Sequence, residues 1–182
     1  AQQCCAPTKW PAFNAALDGT APGCGGLVYL PQTGVRGVPG SLLDQRHGGF
    51  VGLRLDHTWA DMGRAILEAA AYELRWALEH LREAGLAIEQ MWMIGGATQS
   101  PLWPQIVADV TGLPLHLSQF SHGPALGAAM LAGVALGLSD LVETVQARSQ
   151  VSARRIDPAD SQAPIYERQF AAYRRLGQAM AS

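Results

Sequence analysis

What this sequence has little of narrows its chemistry first. Charged residues make up only 15% of the 182 and the formal net charge is −2. No basic face is available to wrap a phosphodiester backbone, so nucleic acid is excluded as a partner. Cysteines number three, Cys4, Cys5 and Cys24, without a CxxC pair. That odd set signals neither a disulfide framework nor a zinc site, and it fits a reducing cytoplasm. The longest apolar runs, such as Ala125 to Leu136, are too short to span a bilayer, and the opening AQQCCAPTKW lacks the charged-then-apolar layout of a signal peptide. A soluble, cytoplasmic protein without a membrane partner is the expectation. Ala1 is not a methionine, which points to a processed, proteolysed or shortened product. Several reactive motifs are absent as well: no GxxxxGK(S/T) phosphate loop, no GxGxxG after a strand, no GxSxG elbow and no HExxH. The histidines His47, His57, His80, His116 and His122 show no ligand spacing, so no metal site is assigned.

What is there suffices for one hydrophobic core: 48% of the residues are apolar. Residues 1–26 read as a lead-in of loop with a short helix around Pro11 to Leu17. Leu27 to Leu30 has strand composition and ends at Pro31, before a long Gly- and Pro-punctuated loop from Gln32 to Gly49 of the kind that serves a site. A second short strand is expected from Phe50 to Leu53. Thr58 and Asp61 form a capping-box-like start, and Met62, Ile66, Ala69, Leu74, Ala77, Leu78 and Leu81 then recur at helical spacing until Gly85. The opposite face, with Arg64, Glu68, Arg75, Glu79, Arg82 and Glu83, reads as solvated and laced by weak ion pairs.

Met91 to Ile94 is a continuous apolar run suited to a buried strand. It runs into Gly95, Gly96, Ala97, Thr98, Gln99, Ser100 and Pro101, where Ser100 is placed to cap a helix and Pro101 to open it. Trp103, Ile106, Val107 and Val110 share one side of that helix, Gly112 ends it, and Leu113 to Leu117 forms the next strand. The product is a βαβ unit with its loop at the carboxyl edge of the sheet. A further helix opens at Gly123 and Pro124, with Gly127, Ala128, Ala129, Ala132 and Gly133 stripping bulk from one side for close approach of a neighbour. Asp140 to Arg148 reads as helical, Val151 to Pro158 as extended, and Gln162 to Met180 as a terminal helix anchored by Ile165, Phe170, Tyr173 and Leu176.

The informative stretch is MIGGATQSPLWPQIVADVTG. Two glycines at a strand end let backbone approach a flat or charged ligand, and the following turn adds free N–H donors. Spacing alone also allows the plain alternative, a glycine pair that turns a strand into a helix. This stretch resembles the adenosine motif of the FGGY carbohydrate kinases, with Gly95, Gly96, Ala97, Ser100, Trp103, Ala108 and Asp109 in register. Upstream, LVYLPQTGVRGVPG and GGFVGLRLDHTWADMGRAILEAAAYELR are similar to that family's strand, SGxRxP-type loop, Gly-x-Phe-x-Gly-Leu strand and long helix. Downstream, SHGPALGAAMLAGVALG resembles its hinge helix. The resemblance runs from about Gly26 to Gly137 and is nearest to xylulokinase-like members.

The resemblance implies an α/β fold of the actin-like ATPase, RNase H-like class, a mixed sheet with flanking helices, as the C-terminal half of a two-domain sugar kinase. Residues 27–138 would be the nucleotide-binding domain, and 139–182 a helical extension packed on it. It implies that Gly95, Gly96 and Ala97 line adenine or ribose, that Ser100 offers a hydrogen bond, and that Gln99 stands where relatives carry Lys or Arg. Trp103 and Ile106 are expected to pack the helix on its sheet. ATP or ADP is the implied ligand, with Mg²⁺ held mainly by an N-terminal part that also carries the Asp base and the sugar pocket. None of Asp44, Asp56, Asp61 and Asp109 sits in that base's motif, so no catalytic residue is named. Departures fall in the loop: Val35 replaces an acid, Arg36 fits, and an extra residue precedes Pro39, leaving Arg36 either to steady the loop or to meet a phosphate. The implied activity is transfer of the ATP γ-phosphate to a hydroxyl of xylulose or a related pentulose or polyol by the parent, the chain alone being inactive and self-associating as a homo-oligomer through the face it exposes. A reading of another class is a stand-alone, non-catalytic nucleotide-binding or interaction module.

Overall fold

A computed structural model describes residues 9–31, 48–118, 123–137 and 154–179. Helix α1 (Lys9–Asp18) leads through a glycine turn into strand β1 (Val28–Leu30), which pairs antiparallel with β2 (Gly49–Val51). Tyr29 faces Phe50 across that pair, with ring centroids 4.9 Å apart. The second strand stops at Val51, short of Leu53, because Gly52 takes φ 81 and turns the chain.

Helix α2 (Trp59–Glu83) starts at the expected box. Thr58 Oγ1 accepts from the Asp61 amide, and Asp61 Oδ2 accepts from the Thr58 amide at 2.8 Å. The Thr58 hydroxyl, which donates to Asp61 Oδ2 at 2.6 Å, and after it the Thr58 amide hold the Asp61 carboxyl below the ordinary carboxylate range. Gly85, at φ 85, follows the last turn.

Strand β3 (Met91–Met93), helix α3 (Trp103–Thr111) and strand β4 (Leu115–Leu117) make the expected βαβ unit, with β3 and β4 parallel. Gly112 ends α3 at φ 67. Helix α4 (Gly123–Ala135) follows, and strand β5 (Arg154–Ile156) adds to β4 antiparallel, so the three-stranded sheet is mixed. Helix α5 (Ala163–Ala179) closes the described chain. One core joins β1, β4, β5, α2, α3 and α5, including Val28, Leu30, Tyr72, Ile106, Val110, Leu115, Ile156, Tyr166, Phe170 and Tyr173.

Three expectations need correction. Arg64 and Glu68 do not lie on a solvated face: they are 5% and 1% exposed, whereas Ile66, Leu74 and Leu81 are exposed on α2. The face turned inward is lined by Ala65, Ala69, Ala71 and Tyr72. Small side chains let α3 and β1 approach closely, and the buried charges are satisfied internally. Strand β3 is half-open rather than buried. Its outward Trp92 is 52% exposed and stacks on His116 at 4.9 Å, because β3 hydrogen-bonds to β4 alone among the described strands. Helix α3 starts at Trp103, not Pro101, since residues Gly96–Gln99 form a 3-10 turn that ends in extended backbone at Ser100. On α4 a Cβ built at Gly127 would touch nothing within 4 Å among the described residues, and Leu131 and Leu136 are exposed, so no close neighbour within this chain meets the helix there. Positions 32–47 of the long loop, Arg36 among them, and the helix expected at Asp140 to Arg148 lie outside the described residues.

The buried charges form a closed network. Arg64 Nε donates to Glu68 Oε1 (2.8 Å), and its other nitrogens donate to the Thr20 carbonyl (3.0 Å) and Tyr166 Oη (2.9 Å). Glu68 also accepts from Tyr166 Oη (3.2 Å), the Gly23 amide (3.0 Å), Tyr72 Oη (3.4 Å) and Cys24 Sγ (3.7 Å). Burial, then the Glu68 charge, push the Tyr72, Tyr166 and Cys24 protons to higher pKa, so these groups stay protonated and donate. For Arg64 burial is the largest influence and acts downward, yet the Glu68 and Tyr166 bonds outweigh it and its pKa is raised.

Asp109, on α3, fastens the segment leading into α5. Its Oδ1 accepts from Gln105 Nε2 and from the Ala159 amide, both at 2.8 Å. Burial raises its pKa despite those bonds. A raised folded-state pKa means that ionisation costs more in the folded chain, so the contribution of Asp109 is greatest at low pH and is lost as pH rises through the folded pKa. Asp109→Asn keeps an oxygen for both donors and cannot ionise. Its melting temperature at pH 7 should equal or exceed that of the unaltered chain, and thermal melts across pH should show the difference closing as pH falls below the carboxylate range.

Candidate functional site

The glycine turn after β3 shapes a cleft. Gly95 takes φ 80 and ψ −162, a conformation an L-residue rarely adopts. Its carbonyl accepts from Thr98 Oγ1 (2.8 Å) and the Thr98 amide (3.2 Å), which closes the turn. The Gly96 and Ala97 amides precede that first donor and therefore have no acceptor within the turn. A Cβ added at Gly96 would meet nothing within 4 Å. Open space begins at that backbone.

The cleft, about 510 Å³, is walled by Gly96, Ala97, Gln99 and Ser100 from the turn, Phe13 and Asn14 from α1, Leu67 from α2 and Trp103 from α3. Most of this lining is apolar or flat, and none of these side chains ionises near neutral pH. A volume in this range suits a small ligand. The wall therefore provides shape and a few polar edges, and no proton acceptor for catalysis.

Ser100 holds two walls together. Its Oγ accepts from the Trp103 amide (3.2 Å) and lies 3.4 Å from Asn14 Oδ1, to which it donates. Ser100 is therefore not the N-cap expected of it, a position that Leu102 takes without a side-chain bond, yet its Oγ still receives the amide of the first helical residue. Trp103 packs against the core and borders the cleft as well, and its Nε1 is buried without a hydrogen-bond partner among the described residues. Gln99 is exposed, with Nε2 3.4 Å from Thr98 Oγ1.

Of the residues named from sequence, Gly96, Ala97, Gln99 and Ser100 share the cleft wall, while Gly95 shapes the turn behind it. Phe13, Asn14 and Leu67 join them without a signal in the sequence. Asn14 meets Ser100 across a separation of 86 residues, and neither periodicity nor spacing carries such a contact. Among the described residues no three His, Cys, Asp or Glu side chains converge to hold a metal ion. Asp56 pairs with Arg54 at the surface, Asp61 caps α2 and Asp109 braces Ala159, so each has a structural partner. No described helix is long and apolar enough to cross a membrane.

The profile of the FGGY family of carbohydrate kinases, C-terminal domain, matches residues 5–136. A ribulokinase of Mycolicibacterium smegmatis is 38% identical over 154 residues, covering 83% of this chain and 27% of the relative. A xylulose kinase of Staphylococcus epidermidis is 31% identical over 156 residues, covering 85% and 31%. Among solved structures, the xylulose kinase from Rhodospirillum rubrum superposes with TM-score 0.73 at 28% identity, covering 94% of this chain and 33% of that one. The ligand bound xylulose kinase from Lactobacillus acidophilus gives TM-score 0.76 at 27% identity, covering 93% and 34%. The chain spans about a third of the length of the relatives it matches.

Proposed function

The chain belongs to the FGGY family of carbohydrate kinases and carries its C-terminal domain, of actin-like ATPase fold, and from that premise we propose that it is the adenosine-holding part of an enzyme that phosphorylates a sugar with ATP. The parent would transfer the γ-phosphoryl group to a hydroxyl of xylulose or a related pentulose, the class named in the ribulokinase and xylulose kinase relatives. The observation that carries this reading is the cleft itself. Its flat apolar walls, Phe13, Leu67 and Trp103, suit a purine, and Gly96 and Ala97 leave backbone free to meet it. In this reading Gly96, Ala97, Gln99 and Ser100 line adenine and ribose, with Gly95 setting the turn.

Phosphoryl transfer is mostly positioning and charge stabilisation, and Mg²⁺ bound with ATP neutralises charge on the phosphates. We assign the metal, the catalytic base and the sugar pocket to the N-terminal part of the parent, which acts in the cytoplasm. This chain's share is to bind and orient the nucleoside and to close over it by hinge motion.

Calorimetry with ATP tests the reading. Gly96 is outside the left-handed region and faces open space, so Gly96→Leu should fold as before while filling the cleft. The unaltered chain should give saturable heat at millimolar ATP and the variant none, with their thermal melts superimposed. Absence of heat from the folded, unaltered chain, or undiminished binding by the variant, would overturn it. A coupled assay with pentuloses should detect no turnover by the chain alone, and robust turnover would place the base within it.

A further inference from the structure

We infer that the N-terminal part of the parent completes the core of this chain: it lays a β-strand along the free edge of β3 and an apolar sheet face over the outward stripe of α2. This rests on the chain being part of a longer kinase, and it is independent of the nucleotide cleft. The outward side of α2 reverses the usual order of a surface helix. Between Trp59 and Ala77 its exposed positions are Trp59, Ile66, Ala70, Leu74 and Ala77, all apolar, and Leu81 continues the row. From Ile66 to Leu81 that row follows one helical face for about 22 Å. The charges are engaged on the other sides: Arg64 pairs with Glu68, Arg75 with Glu79 and Glu167, and Glu79 with Arg174. A helix that satisfies its charges within the chain and turns apolar side chains outward has a second layer still to meet.

Strand β3 asks for the same neighbour. It stands at the end of the sheet order, with β4 on one side only. The Met91 amide donates to the Pro114 carbonyl (3.0 Å), and the Met93 carbonyl accepts from the Ser118 amide (2.9 Å). Those groups face β4, so the alternation of a strand turns the Trp92 N–H and C=O to the open side. Natural edges are guarded by charge. The outer strand β5 follows that rule with exposed Arg154 and Arg155, whereas β3 is Met-Trp-Met followed by Ile94, with Trp92 and Ile94 about half exposed. A strand satisfies this edge, and the sheet to which it belongs satisfies the α2 stripe, because an apolar helix face packs on a sheet. Residues 84–90 alone connect α2 to β3, so one partner spans both. An edge of three residues is too short to hold a separate molecule in water, which favours a strand delivered by the same polypeptide. Most of the length of the relatives lies outside this chain, and the matching family model is a C-terminal domain, so the strand comes from upstream. The hinge of the parent then lies before that strand.

The test compares the 182-residue chain with the whole kinase that contains it. Hydrogen exchange resolved to the Trp92 amide should be fast in the chain and slower by about a hundredfold or more in the kinase, where the amide gains an acceptor. Ile66→Lys should leave the melting temperature of the chain within about 2 °C, as a surface change does. The same substitution should lower that of the kinase by about 10 °C or more, because the ammonium is then buried without a partner. Equal exchange of the Trp92 amide in both, or equal shifts of both melts, would overturn the inference. A chain that light scattering shows to be a dimer, dispersed by Ile66→Lys and with the Trp92 amide already protected, would assign the surface to a second copy and overturn it as well. Heat with ATP enters neither readout, so this inference and the cleft reading fail separately.

Discussion

Glu68→Ala is expected to cost about 3–5 kcal/mol, a large part of the roughly 5–15 kcal/mol available to a natural domain. The reason is not the attraction lost but the charge left behind. Arg64 is 5% exposed, and its fork is shared among Glu68, Thr20 and Tyr166. Without the carboxylate, a buried guanidinium has no counter-charge, and the Gly23 amide and the Tyr72 hydroxyl lose their acceptor. Urea unfolding followed by circular dichroism should show the midpoint falling steeply. The double variant Arg64→Met/Glu68→Leu, which removes both charges, should recover the part of the loss owed to the uncompensated guanidinium, but not the part owed to the Gly23 amide and the Tyr72 and Tyr166 hydroxyls, which still lack their acceptor. Arg54→Ala is the control: its pair with Asp56 spans 3.0 Å but lies in solvent, and the midpoint should hardly move. Equal effects of Glu68→Ala and Arg54→Ala would show that the network contributes nothing through burial.

Truncation after Gly137 should abolish cooperative folding, although the family match ends at residue 136. The deletion removes Ile156, Tyr166, Phe170 and Tyr173, all buried in the main core. Removing one such aromatic side chain costs about 3–5 kcal/mol, so several together exceed a domain's stability. It also takes β5 from β4, and Glu167, the partner of Arg75 at 2.7 Å. Arg75 now sits over the Phe170 ring at 4.4 Å, between α2 and α5. Near-ultraviolet dichroism of the truncated chain should be featureless, with no sigmoidal melt. Retention of the full-length transition would make residues 154–179 an appendage rather than part of the core.

Legibility from sequence followed the range of the interactions. The α2 start was readable because Thr58 and Asp61 bond each other three residues apart. The βαβ unit was readable because the apolar run, glycine turn and Gly112 are consecutive. The inward face of α2 was not, because hydropathy ranks Ile66 and Leu74 above Arg64 and Glu68, and the burial of the latter pair depends on Tyr166, 102 residues from Arg64. In the cleft the turn residues were legible for the same reason as the βαβ unit. Asn14 and Leu67 became visible only once α1 and α2 were packed beside the turn.

The Arg64 network also bears on synthesis. Ninety-eight residues separate Glu68 from Tyr166, and a ribosome adding roughly 5–20 residues per second needs roughly 5–20 s to deliver them. During that interval the nascent α2 carries charges whose final partner has not yet been made. The amino-terminal half must wait on the ribosome, hydrated and unfinished, until the last helix emerges.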